Sequence, residues 1–135
     1  MEIAAGLLDT SAYSAFLRGH AELKLALQRT DRIVLTPIVL GELGAGFRAG
    51  TRRKKNEAEL RQFLSSPRVD VVAVDAETAE RYAVILHGLR SAGTPIPTND
   101  IWIAASAMQH GLRVITTDVH YTRIPQIIVE RFETT

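Results

Sequence analysis

Cysteine is absent from this chain of 135 residues. That removes disulfides, zinc thiolate sites and thiol nucleophiles together, and it fits a reducing cytoplasm. Long apolar runs are missing too. The opening run Ile3–Leu8 is too short to cross a bilayer, and Glu2 stands where a secretory leader would carry positive charge. The expectation is a cytoplasmic protein with no membrane segment and no export. No glycine-rich phosphate loop occurs, and Ser11 lacks the flanking glycines of a nucleophile elbow. His20, His87, His110 and His120 lack the spacing of a zinc set, so a surface role is the default for each. His120 differs in lying two residues after an acid, Asp118, whose pocket it can share.

Neither sign of charge dominates. Sixteen Lys and Arg against 15 Asp and Glu leave a net charge of +1, which says little about partners. The distribution says more. Arg48, Arg52, Arg53, Lys54 and Lys55 crowd one stretch around Gly46 and Gly50. A solvated loop and helix start is the ordinary explanation, and a contact strip for a polyanion is the other. With 46% hydrophobic residues, no repeat, no linker and no low-complexity segment, the chain is expected to form one domain over residues 1–135.

Periodicity gives the order of elements. Ile3–Leu8 is a buried strand. Thr10 and Ser11 are available to cap a helix from Ala12 through Leu17, and Ala21–Leu27 continues helical with Leu23, Ala26 and Leu27 in register. Arg32–Leu35 is a second strand. Thr36 then caps a helix that has Pro37 at its first position and ends near Gly50. Asn56–Leu64 is an amphipathic helix with Leu60, Phe63 and Leu64 inward. Val69–Val74 is a strand, and Asp75 caps Ala76–Ala92, whose apolar stripe is Ala79, Tyr82, Ala83, Leu86 and Leu89. Thr98 or Asn99 caps Asp100–His110, and Gly111 closes it. Val114–Thr117 and Gln126–Arg131 are the last strands. Alternating strands and helices indicate an α/β fold with a mainly parallel sheet, in which ligands bind outside the carboxyl ends of the strands.

Four acids suit such a site: Asp9, Glu42, Asp100 and Asp118. Each has an ordinary explanation. Asp9 can cap a helix, although Thr10 and Ser11 can do so in its place. Asp118 can open an Asx-turn, and Asp100 can complement a helix dipole. Glu42 is harder to dismiss. It sits among Ile38, Val39, Leu40 and Leu43, and a carboxylate on a buried helix needs an arginine or a metal. Asp75 is the control, since it also follows an apolar strand and starts a helix, and capping is assigned to it. Carboxylates gathered at strand ends repel one another unless a cation joins them.

Four segments carry a family resemblance: LLDTSAY (Leu7–Tyr13), TPIVLGELGAG (Thr36–Gly46), PTNDIWIAASAMQHG (Pro97–Gly111) and VITTDVHYTRIPQI (Val114–Ile127). In this order they resemble the motifs of PIN-domain nucleases, and the subgroup they resemble most is the VapC-type toxins of toxin–antitoxin pairs. The resemblance implies a PIN fold with Asp9, Glu42, Asp100 and Asp118 around Mg²⁺ or Mn²⁺, supported by the hydroxyl of Thr116. It implies an endoribonuclease that leaves 5′-phosphate and 3′-hydroxyl ends, forms a homodimer and is inhibited by a cognate antitoxin. Asp9, Asp100 and Asp118 would hold the ion, and Glu42 would hold a second ion or orient the attacking water. Many members carry another acid just before the third aspartate. Thr98 and Asn99 stand there, so a second metal position is expected to be weaker. RNA attraction falls to Arg48, Arg52, Arg53, Lys54 and Lys55. Trp102 is assigned to core or dimer packing before base stacking.

Other classes fit less well. A receiver-type phosphoacceptor domain needs a late lysine, and none follows Lys55. A haloacid-dehalogenase-type phosphatase needs an aspartate where Ser11 stands. A non-catalytic RNA-binding module explains the basic strip but not four acids. A partner-binding subunit whose acidic pocket takes an arginine from another chain is compatible with the toxin reading.

Overall fold

β1 (Ile3–Leu8) runs through the centre of the protein, with Gly6, Leu7 and Leu8 buried. This computed structural model describes residues 3–134. From β1, α1 (Thr10–Leu17) and α2 (Ala21–Gln28) lead to β2 (Thr30–Leu35). α3 (Pro37–Ala49) and α4 (Arg53–Leu64) lead on to β3 (Val69–Val71). α5 (Ala76–Ala92) and α6 (Thr98–His110) then cross to β4 (Arg113–Thr116), and a 3-10 turn, Val119–Arg123, precedes β5 (Val129–Arg131). The sheet order is β3-β2-β1-β4-β5, and every pairing is parallel. The chain therefore builds outward on one side of β1 and then returns to build on the other. The change of direction falls between β1 and β4, and the crevice outside the carboxyl ends of such a strand pair is where parallel sheets bind ligands.

The register explains why a glycine sits in the central strand. Gly6 pairs with Ile33 on one side and Arg113 on the other. A Cβ at Gly6 would lie 2.6 Å from Ile115 Cδ1 and 3.2 Å from its Cγ1. Ile115 is fully buried in the core, where side chains are close-packed. α6 is buried on most of its surface through Ile101, Ile103, Ala104, Ala105, Ser106 and Ala107. Tyr82 of α5 stacks on Trp102 of α6 with centroids 4.1 Å apart, so Trp102 is a packing residue between these helices. Tyr13 meets Phe63 edge-on at 5.2 Å and ties α1 to α4.

Several boundaries differ from expectation. α1 begins at Thr10 because Asp9 caps it, with its side chain accepting from the Ala12 amide. α1 and α2 are separate helices, broken where Gly19 takes φ 89°. α4 begins at Arg53, not Asn56, so Arg53, Lys54 and Lys55 form its first turn without a side-chain cap. Pairs four residues apart, Arg53–Glu57 and Lys55–Glu59, support that turn. The buried face of α5 is Thr78, Ile85 and Leu89, while Ala79 and Ala83 are exposed. Alanine is a weak marker of a helix's inner face, and Thr78 goes inside because Asp75 and Gln109 satisfy its hydroxyl. β3 and β5 are shorter than expected, since Val72–Val74 and Gln126–Ile128 lie outside the ladder. Thr98 and Asn99 lie inside α6, whose N-cap is Pro97.

Gly6→Ala is expected to destabilise the protein by about 1–3 kcal/mol through overpacking against Ile115. A lower urea midpoint with an unchanged m-value is the expected reading, and an unchanged midpoint would contradict it.

Candidate metal centre

Asp9 leaves the end of β1 and serves two ends at once. Its Oδ1 accepts from the Ala12 amide at 2.8 Å, which caps α1. Its Oδ2 accepts from the Thr116 hydroxyl at 2.6 Å, which joins it to the end of β4. Ser11 donates to the same carboxylate at 2.9 Å. Neither expected substitute cap is used as one. Ser11 Oγ instead accepts from the Thr117 amide at 3.1 Å, and Thr10 donates to Glu42 at 2.6 Å. Asp9 is only 3% exposed, and burial pushes its carboxyl up to about 6. Hydrogen bonds from Thr116, Ala12 and Ser11 oppose that rise, and the charge of Asp100 adds to it.

Asp118 follows β4 and opens the 3-10 turn, its Oδ1 accepting from the His120 amide at 2.9 Å. Its own amide donates to Thr116 Oγ1 at 2.9 Å. Asp100 comes from the first turn of α6. The imidazole Nδ1 of His120 lies 2.9 Å from Asp100 Oδ2 and 3.1 Å from Asp118 Oδ1. Tyr121, fully buried, donates its hydroxyl to Asp100 Oδ1 at 3.3 Å. Burial raises the pKa of Asp100, the charge of Asp118 raises it further, and the bonds from His120 and Tyr121 act against both. The Tyr121 phenol is also pushed up, first by burial and then by the negative charges of Asp9, Asp100 and Glu42.

Glu42 stands at the edge of this group. It is half-buried on α3, bonded to Thr10 and, at 3.4 Å, to the amide of Asn99. Among the described residues no arginine pairs with it. Thr10 and Asn99, which were expected to serve as caps, are the groups that direct it. Gly41 and Ala45 beside it are exposed, so its helix face is more open than the surrounding aliphatic residues suggest.

The four acids do not form one ligand set. Among the described residues, one group of three offers ligand atoms all within 4.8 Å of one another: Asp100, Asp118 and His120. Asp9 is coupled to that group through Thr116 and through the charge of Asp100. Asp75 forms a capping box with Thr78 and bonds Gln109, and those hydrogen bonds hold its carboxyl below the usual range. His120, which lacks zinc-set spacing, does share the pocket of Asp118. The readable signal is its place two residues after Asp118, where a tight turn brings the ring back over the acid. Arg48 lies in the last turn of α3, while Arg52, Arg53, Lys54 and Lys55 surround the start of α4, all exposed.

The donor chemistry fits a divalent cation. Two carboxylates and an imidazole converge beside a third, buried carboxylate, and burial raises the pKa of both Asp9 and Asp100.

A parallel sheet with this acidic crevice at its switch point defines a PIN-type α/β domain. The sequence matches the PIN domain over residues 6–127, and the chain belongs to that family. Within it, the chain stands with the VapC ribonucleases. It is 35% identical over 115 residues to Ribonuclease VapC5 of Mycobacterium tuberculosis, spanning 85% of this chain and 84% of that one. It is 32% identical over 102 residues to the tRNA(fMet)-specific endonuclease VapC of Salmonella typhimurium, spanning 75% and 76%. Its backbone is similar to the DNA-bound VapBC crystal structure from Salmonella typhimurium, with a TM-score of 0.81, 27% identity and coverage of 96% and 98%. The VapBC-5 toxin–antitoxin structure from Mycobacterium tuberculosis gives a TM-score of 0.77 at 29% identity, covering 96% and 99%.

The buried acid predicts a pH dependence of the metal-free protein. Because the folded-state pKa of Asp9 is about 6 against an ordinary 3.8, the folded state holds this proton more tightly than the unfolded state. Stability from this group is therefore greatest below about pH 4 and falls through about pH 6, by on the order of 3 kcal/mol. Asp100 acts in the same direction. Asp9→Asn is expected to flatten the slope of urea midpoint against pH, and an unchanged slope would contradict the assignment.

Proposed function

We propose that this protein is the toxin of a toxin–antitoxin pair, acting in the cytoplasm as an endoribonuclease dependent on Mg²⁺ or Mn²⁺. One observation carries the reading: Asp100 and Asp118 converge beside buried Asp9 at the carboxyl ends of β1 and β4. Membership of a family whose similar members are named ribonucleases supports it.

Asp100 and Asp118 hold the ion, and Asp9 adds negative charge beside them. Thr116 and Ser11 keep Asp9 fixed in orientation, since both of its oxygens are occupied by hydrogen bonds. Glu42, steered by Thr10 and Asn99, orients the attacking water at the outer edge of the crevice. When bound, a divalent ion supplies charge stabilisation at the phosphoryl group and lowers the pKa of water. In-line attack leaves 5′-phosphate and 3′-hydroxyl ends. The acids repel RNA, so attraction comes from Arg48, Arg52, Arg53, Lys54 and Lys55, which contact phosphates and position the strand without selecting its sequence. A cognate antitoxin binds the toxin, a reading supported by the similar VapBC-5 structure's naming as a toxin–antitoxin system, and the toxin acts as a homodimer.

Purified protein is expected to cleave RNA with Mg²⁺ or Mn²⁺, and EDTA is expected to stop it. Asp100→Asn should lower cleavage about 100-fold or more while the circular dichroism spectrum stays unchanged. If that folded variant cuts as fast as wild type, the proposed site is wrong. Replacing Arg53, Lys54 and Lys55 together by alanine should weaken RNA binding and reduce the slope of log K against log salt by about 2–3. Fluorescence anisotropy across a salt series measures that slope, and an unchanged value removes the strip from the RNA interface.

A further inference from the structure

We propose that His120 ligates the metal ion directly through Nδ1, and that this nitrogen makes the centre favour Mn²⁺ over Mg²⁺. The inference rests on the nuclease reading and deepens it by naming a ligand and a metal preference.

The first argument is geometric. Nδ1 lies 2.9 Å from Asp100 Oδ2 and 3.1 Å from Asp118 Oδ1. Donors on neighbouring corners of an octahedron with bonds of ~2.1 Å are about 3 Å apart. The imidazole nitrogen thus already stands at ligand–ligand spacing from both carboxylate oxygens. An N–H···O hydrogen bond has the same length, so an ion can enter with little displacement of the three side chains. As a ligand, the ring carries its proton on Nε2. That nitrogen has no protein hydrogen-bond partner among the described residues, and the side chain is 32% exposed.

The second argument is positional. The ring of His120 is held between two acids instead of standing free in solvent. His120 is held by its own backbone, whose amide bonds Asp118 Oδ1 at 2.9 Å. The next residue, Tyr121, is fully buried and bonds the other oxygen of Asp100. Ile124, 2% exposed, anchors the far side of the turn. The ring therefore reaches the carboxylates from a fixed base.

The third argument is chemical. Mg²⁺ takes oxygen ligands and retains its waters, whereas an imidazole nitrogen is better accepted by transition-metal ions. A set of two carboxylates and one imidazole shifts the preference toward Mn²⁺.

The test uses untagged full-length protein. Mn²⁺ is titrated by electron paramagnetic resonance, the bound ion is probed by electron spin-echo modulation for ¹⁴N coupling, and Mn²⁺ and Mg²⁺ affinities are measured by calorimetry. Wild type is expected to show ¹⁴N coupling that His120→Gln abolishes. The same variant should lose about 10–100-fold in Mn²⁺ affinity and under about threefold in Mg²⁺ affinity. Mn²⁺ bound without ¹⁴N coupling overturns the proposal while leaving the carboxylate site intact, as does an equal loss for both ions, which would make His120 a positioning residue. Wild type that binds neither ion, or Asp100→Asn and Asp118→Asn variants that bind as tightly as wild type, would overturn the nuclease reading and this inference together.

Discussion

The Thr116 hydroxyl is the junction on which the site depends. It donates to the Asp9 carboxylate from the end of β1 and accepts from the Asp118 amide at the end of β4. These two strands are far apart in sequence and become neighbours only because the chain reverses its direction of building at β1. The backbone ladder, continued by the Asp9 amide donating to the Ile115 carbonyl, sets the height of their ends, and the hydroxyl ties the two acids across them. With Ser11, which bonds both Asp9 and the Thr117 amide, it forms a closed polar network at the edge of an otherwise apolar core. α6 then brings in Asp100, and the turn after Asp118 brings His120 and Tyr121 to it.

This arrangement spends stability on function. A carboxylate as buried as Asp9 is costly when ionised, and three hydrogen-bonding groups offset only part of the desolvation. Asp100 adds like charge to the same region. A protein selected for stability alone would hold fewer anions here, or would supply an arginine. Carboxylates raised by burial in a crevice are candidates for a functional centre, whereas Asp75 shows the opposite: its hydrogen bonds lower its pKa and it caps α5.

The order of strands and helices was legible because each buried strand is a short aliphatic run and each helix repeats its apolar residues at helical spacing. Strand ends were less legible. Val72–Val74 is as β-branched as Val69–Val71, and the ladder ends there because β2 stops at Leu35, whose carbonyl takes the Val72 amide as the last bond. Among the acids, the choice between cap and site was posed as exclusive for Asp9, yet one oxygen caps α1 while the other bonds Thr116 at the end of β4. Glu42 was legible as unusual, but the groups that direct it, Thr10 and Asn99, lie 32 and 57 residues away from it. His120 went unassigned because the meaning of a lone histidine depends on a turn geometry that composition does not encode. Periodicity could not group the four acids, and only the family resemblance did.

The first turn of α4 stacks Arg53, Lys54 and Lys55 on the positive end of the helix dipole, without a capping side chain. Such a helix start is self-opposed, and only Glu57 and Glu59, one turn further on, offset it. Any polyanion laid across this turn supplies the negative charge that the helix itself lacks. Binding and helix formation would then be linked: a polyanion bound there would tighten this helix start, and its departure would loosen it.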